Sequence, residues 1–124
     1  MFLKLLRKSL GALVLFFDKI NPPRAITRSA AEQARIDEET KSLVLYQFEA
    51  CPFCVKVRRV IRELNLKIEL RDALNHETAK KELIQGGGDY QVPCLRITQP
   101  DGTFQWMYES SDINQYLKQK FGTV

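Results

Sequence analysis

Hydrophobic and polar positions divide this chain into three unequal stretches. In the first, Phe2, Leu5, Leu6, Leu10, Leu13, Phe16, Phe17 and Ile20 recur along one broad face at the helical period. Lys4, Lys8, Gly11, Asp18 and Lys19 fall mostly on the other face, which Leu15 interrupts. The pattern predicts an amphipathic helix within residues 1–21, stopped where Asn21-Pro22-Pro23 disfavours continuation. In the second stretch, residues 22–41, Ile26 and Ile36 are the only large apolar positions. It reads as a polar linker, with a helical turn or two over residues 29–40 that cannot build a core.

Residues 42–124 alternate between strand and helix patterns. Ser42 to Phe48 is a β-rich run of buried-strand length, and Val55, Val57, Val60, Ile61 and Leu64 then recur at helical spacing after Pro52. Lys67 to Arg71 alternates like a strand. Glu77 to Gln85 reads as a short polar helix closed by a flexible run, Gly86-Gly87-Gly88. Val92 to Ile97 and Thr103 to Tyr108 form a hairpin around the turn residues Pro100-Asp101-Gly102. Ile113, Tyr116, Leu117 and Lys120 mark a last helix over residues 111–121. The order β-α-β-α-β-β-α predicts parallel first strands and an antiparallel closing hairpin, hence an α/β layered sheet. The Phe residues and Trp106 are expected in its core.

Length and charge narrow this picture. A chain of 124 residues with 44% hydrophobic and 27% charged content can bury one core without disulfide staples. Collagen, low-complexity disorder and a polytopic membrane protein are excluded by that composition. Residues 1–41 hold 8 Lys/Arg against 5 Asp/Glu, and the rest 11 against 10, so most of the +4 net charge lies upstream. No nucleic-acid partner is expected. The longest uncharged run of the first stretch, residues 9–17, is too short for a span of roughly 20 residues. Three readings fit that helix: an anchor in a membrane surface through residues 2–20, a helix packed on the domain or a second subunit, and a secretory signal.

The chemistry concentrates at Cys51-Pro52-Phe53-Cys54, between the first strand and the first helix of the alternating unit. Cys51 is expected in the N-cap region, where unpaired N–H groups and the helix dipole favour a thiolate. Pro52 suits the first helical position. Cys54, one turn on, is within reach of Cys51 for a disulfide. Lys56, Arg58 and Arg59 add positive potential or form a solvated face. A structural zinc site needs four ligands, and only Cys94 and His76 remain to complete one. A static 51–54 disulfide would close too small a loop to stabilise much. Redox chemistry is the better account. No metal ligands are assigned; Cys94 reads as a buried strand cysteine and His76 as a surface cap.

The segment Leu45-Tyr-Gln-Phe-Glu-Ala-Cys51-Pro-Phe-Cys54-Val-Lys-Val-Arg58 resembles the active-site segment of the glutaredoxins and of the related glutathione S-transferase N-terminal domains. Two further motifs follow in the family's order, Gln91-Val92-Pro93 and Glu109-Ser110. The resemblance implies a thioredoxin-like βαβαββα unit with a four-stranded mixed sheet over residues 42–124, preceded by the amphipathic helix. It implies a cis-proline at Pro93 and glutathione contacts at Pro52, Phe53, Val92, Pro93, Glu109 and Ser110. Val92 would use its main chain for the cysteinyl part, and Glu109-Ser110 would hold the γ-glutamyl end. Tyr90 is a further candidate for the groove.

Phe53 stands where the common glutaredoxin tetrad has Tyr, and Tyr108-Glu109-Ser110-Ser111 is closer to the transferase pattern. With the chain ending at Val124, a free-standing unit with glutaredoxin rather than transferase activity is expected. That activity is a glutathione-dependent thiol–disulfide exchange through Cys51 and Cys54, acting on disulfide-containing or glutathionylated proteins. Alternatives are a [2Fe–2S] cluster module, held by Cys51 and glutathione from two chains, and an exported disulfide oxidase or isomerase. The glutathione motifs favour a reducing cytoplasm, at the inner face of the membrane if the first helix is an anchor.

Overall fold

Every side chain of β1 (Leu43–Gln47) is buried, because the strand lies inside a sheet covered on both faces. A computed structural model of the chain describes residues 10–17, 19 and 25–122. Residues 10–17 are helical (α1). Then come α2 (Ala30–Glu39), β1, α3 (Pro52–Glu63), β2 (Glu69–Asp72), α4 (Glu77–Glu82), β3 (Cys94–Thr98), β4 (Phe104–Met107) and α5 (Ser110–Phe121). The sheet order is β2-β1-β3-β4, with β1 and β2 parallel and the other pairs antiparallel. The expected α/β architecture with a four-stranded mixed sheet is the one observed.

Strand pleating sorts the side chains into two cores. Leu43, Leu45, Leu95 and Ile97 point to one face and meet Val57, Val60 and Ile61 of α3, Leu64 just beyond it, and Ile113, Leu117 and Phe121 of α5. Val44, Tyr46 and Cys94 point to the other and meet Ala79 of α4 and Leu83 beyond it. The strand register then gathers three loops. Tyr46 pairs with Cys94, and Leu95 with Met107. The end of β1, the start of β3 and the end of β4 therefore emerge at one end of the sheet.

Residues 22–41 are not a polar linker over their described part. Ser29 caps α2, its hydroxyl accepting from the Glu32 N–H at 3.2 Å. Ile36 is only 2% exposed and joins the α3–α5 core, a burial that stabilises by about 2 kcal/mol. The Ile26 N–H donates to Glu63 O at 2.9 Å, and the Arg28 guanidinium to Phe121 O at 2.8 Å. The segment is strapped to the ends of α3 and α5. One apolar position per turn was enough, since the neighbouring helices supply the rest of the surface.

The glycine run is not a flexible end either. The chain continues from α4 through a wider π turn at Leu83–Gly87. There a side chain on Gly86 would strike Trp106, and one on Gly87 the Tyr108 ring and hydroxyl. Only Gly88 needs glycine for its backbone, at φ +86°. The Phe residues also depart from expectation: Phe121 is buried and Phe48 half-buried, whereas Phe16, Phe17, Phe53 and Phe104 are exposed. Trp106 is half-buried, capping the α4-side core against Tyr46. The expected positions Phe2, Leu5, Leu6 and Ile20, and the Asn21-Pro22-Pro23 stop, lie outside the described residues.

Candidate active site

Cys51 is the N-cap of α3, with extended backbone angles (φ −76°, ψ 124°) and Pro52 at the first helical position. Cys54 lies one turn further, fully buried, while Cys51 remains partly accessible. All three cysteines are free thiols. The difference in burial separates the roles within the pair. The Cys54 thiol donates a hydrogen bond to Cys51, the backbone N–H groups of Phe53 and Cys54 add theirs, and the Arg58 charge assists. Together they lower the Cys51 thiol to about 6. Cys54 is pushed far upward by its bond to the Cys51 thiolate and by burial. It stays protonated, in position to donate.

The loop before Cys51 is held from below. The Phe48 N–H donates to Cys54 Sγ at 3.5 Å, and the Cys51 N–H to Phe48 O at 3.3 Å. Arg58, two turns along α3, donates to Gln47 Oε1, to Phe48 O at 3.3 Å and to Glu49 O at 2.6 Å. Arg58 is therefore a fixed strut rather than part of a solvated face. Neither this role nor that of Gln47 is legible in the sequence, because nothing in their spacing tells that a strand end and a helix side chain meet. Lys56 instead covers the exposed Phe53 ring, 5.4 Å from its centroid.

The other expected positions lie at the same end of the sheet. The Val92–Pro93 peptide bond is cis, as expected, and leads directly into β3. Val92, like Phe48, packs against the α4-side core. The Tyr90 ring meets Phe48 edge to face at 5.8 Å, and its hydroxyl donates to Ala73 O at 2.9 Å. Glu109 is the N-cap of α5 and Ser110 its first residue. No side chain caps this helix start, and its first N–H groups have no intrahelical acceptor, which suits a carboxylate ligand.

Two cysteine-adjacent expectations resolve differently. Cys94 is fully buried, and burial pushes its thiol up to about 12. His76 stands at the N-cap of α4, yet its side chain makes no capping hydrogen bond there. Asp72 instead accepts from the Leu74 and Asn75 N–H groups at 2.9 and 3.1 Å. Among the described residues, no cluster of three or more His, Cys, Asp or Glu side chains could hold a metal ion.

Residues 45–124 match the family described as "Glutathione S-transferase, N-terminal domain". The chain belongs to this family. The match begins in β1 and spans residues 51–54, the cis-proline loop and the start of α5. Among solved structures, a glutathione transferase family member from Pseudomonas fluorescens, with two glutathione bound, is 21% identical with a TM-score of 0.54. The likeness covers 78% of this chain but 44% of that one, and it places the domain in the thioredoxin-like fold. Oxidized glutaredoxin 2 from Chlamydomonas reinhardtii is 20% identical, with a TM-score of 0.46, over 75% of this chain and 98% of that one. No protein of curated function matches the chain.

Proposed function

We propose that this domain is a glutathione-dependent thiol–disulfide oxidoreductase. The observation that carries the reading is the asymmetric pair: an accessible Cys51 at a helix N-cap, and a buried, protonated Cys54 one turn on, donating to it. An enzyme that only bound glutathione for transfer to another electrophile would have no need of a second thiol there. Glutathione as co-substrate is supported by the family, and by the uncapped start of α5 beside the cis-proline loop.

In this reading Cys51 thiolate attacks the glutathionyl sulfur of a protein–glutathione mixed disulfide. The old S–S bond breaks, the protein leaves as a thiolate and takes a proton from solvent, and Cys51 is glutathionylated. A second glutathione thiolate then attacks the glutathionyl sulfur, forming glutathione disulfide and returning Cys51 as a thiolate. For a protein disulfide, Cys51 attacks one sulfur and forms a mixed disulfide while the other leaves as a thiolate. Cys54 then loses its proton and attacks the Cys51 sulfur, expelling the second substrate thiolate and closing the 51–54 disulfide, which two glutathiones reduce with release of glutathione disulfide. The main chain of Val92 would bind the cysteinyl part of glutathione. Ser110, the α5 N–H groups and Glu109 would hold the γ-glutamyl end, with Pro52, Phe53 and Pro93 walling the groove. A glutathione co-substrate favours a reducing compartment such as the cytoplasm.

The purified chain, assayed with glutathione, glutathione reductase and a small disulfide, is expected to turn over. Cys51→Ser should lose activity by about a thousandfold or more, as expected when a nucleophile is removed. Absence of turnover in the wild type, or full turnover in Cys51→Ser, ends this reading.

A further inference from the structure

The seat of α1 on the domain leaves its largest apolar side chains open to solvent. Gly11 is buried, and a Cβ on it would stand 2.8 Å from Ala50 Cβ and 3.4 Å from Ala50 O. The helix therefore meets the catalytic loop at the residue preceding Cys51, through the side that carries Gly11 with half-buried Val14 and Leu15 flanking it. Leu10, Leu13, Phe16 and Phe17 lie roughly 100° or more around the helix from Gly11. Each of the four is more than half exposed, and the Phe16 and Phe17 rings touch edge to face at 6.0 Å. An amphipathic helix normally buries its apolar stripe on the domain and shows the polar one to water. Here the side that carries Gly11, Val14 and Leu15 is the less exposed one, and the stripe of Leu10, Leu13, Phe16 and Phe17 stays open.

We propose that α1 lies in an anionic lipid surface and, through its Gly11–Ala50 seat, holds the Cys51 thiol there, so that the substrates are disulfides or glutathione mixed disulfides of membrane-bound proteins. The inference about substrates rests on the oxidoreductase reading above; the one about lipid does not. Charge selects the occupant. The sequence places Lys4, Arg7 and Lys8 before the exposed apolar residues and an exposed Lys19 after them, against a single Asp18. That balance complements anionic headgroups. A second copy on the same face would bring like charges together instead. No helix among the described residues is long and apolar enough to cross a membrane, and on this proposal α1 lies along the surface. An α-helix is about 10 Å across, which sets the separation between the lipid side of α1 and the loop carrying Cys51.

The full chain is mixed with phosphatidylcholine vesicles, with and without phosphatidylserine, and sedimented. Binding is expected only with phosphatidylserine, and should fall about tenfold or more in the Phe16→Ser/Phe17→Ser variant, which removes apolar surface without touching the core. Gly11→Leu should bind vesicles as the wild type does, since it leaves the stripe intact. It should lose the rate advantage on a glutathionylated peptide tethered to the vesicle while keeping its rate on a soluble disulfide. No sedimentation, or equal sedimentation of the Phe16/Phe17 variant, overturns the lipid assignment. So does a stable dimer in solution that the same variant dissociates. Equal rates of wild type and Gly11→Leu on the tethered peptide overturn the seat. Absence of turnover on the soluble disulfide defeats the oxidoreductase reading alone, because sedimentation is read without it.

Discussion

Two cysteines of this chain stand beside a proline at the same end of the sheet, and they are chemically opposite. Cys51 precedes Pro52 at the start of α3; Cys94 follows Pro93 at the start of β3. At the helix start, unpaired N–H groups and a donating thiol surround a partly accessible sulfur, and the thiol falls to about 6. At the strand start, the sulfur is sealed among Tyr46, Tyr108 and Trp106, and the thiol rises to about 12. The residue type is the same. What differs is the balance of donors and burial: Cys51 takes a hydrogen bond from Cys54 and from helix-start N–H groups, whereas at Cys94 burial outweighs the donors of Tyr108 and Met107.

The largest test of that contrast is selective alkylation. At pH 7 the folded protein should consume iodoacetamide at Cys51 at least a thousandfold faster than at Cys94, read by peptide mass analysis, because only a thiolate reacts. The Cys51 rate should climb with pH and level off above about 6, since above that value the thiolate is already formed. Equal labelling of both positions would erase the distinction. Next in size is Cys54→Ala, which removes the strongest contribution to the lowered Cys51 value. The midpoint of the Cys51 alkylation profile should move toward the ordinary thiol range, cutting the pH 6 rate by about tenfold or more. A smaller effect is expected from Arg58→Gln, whose charge contributes least among the causes given and whose strut holds Phe48 O and Glu49 O. The midpoint should rise by less than about one pH unit, with Arg58→Lys recovering part of it. The smallest effect belongs to Cys94→Ala. Its alkylation midpoint at Cys51 should match the wild type, with a loss of about 1 kcal/mol in urea unfolding from the vacated sulfur volume.

What could be read from the sequence was what local chemistry dictates. Cys51 between a strand pattern and a helix pattern, Pro52 at the first helical position, and Glu109-Ser110 at a helix start all follow from a few neighbouring residues. The cis bond at Pro93 came from family resemblance rather than from any residue pattern. What escaped depends on contacts distant along the chain. Ile36 sits alone in a polar stretch, and only the gap between α3 and α5 makes it a core residue. Gly86 and Gly87 read as loose until Trp106 and Tyr108, some twenty positions later, close over them. Arg58 looked like one more cation on a basic helix until β1 ended within its reach.

The strap formed by Ile26, Arg28 and α2 has a consequence for where this module can be cut or joined. Homology begins at residue 45, but the cooperative unit begins about twenty residues earlier, because Ile36 closes one core and residues 26 and 28 clamp the ends of α3 and α5. A fusion or truncation made at the edge of the homology would keep every residue of the redox site and remove part of the wall behind it. Transplanting the site into another protein therefore means carrying the strap along with it.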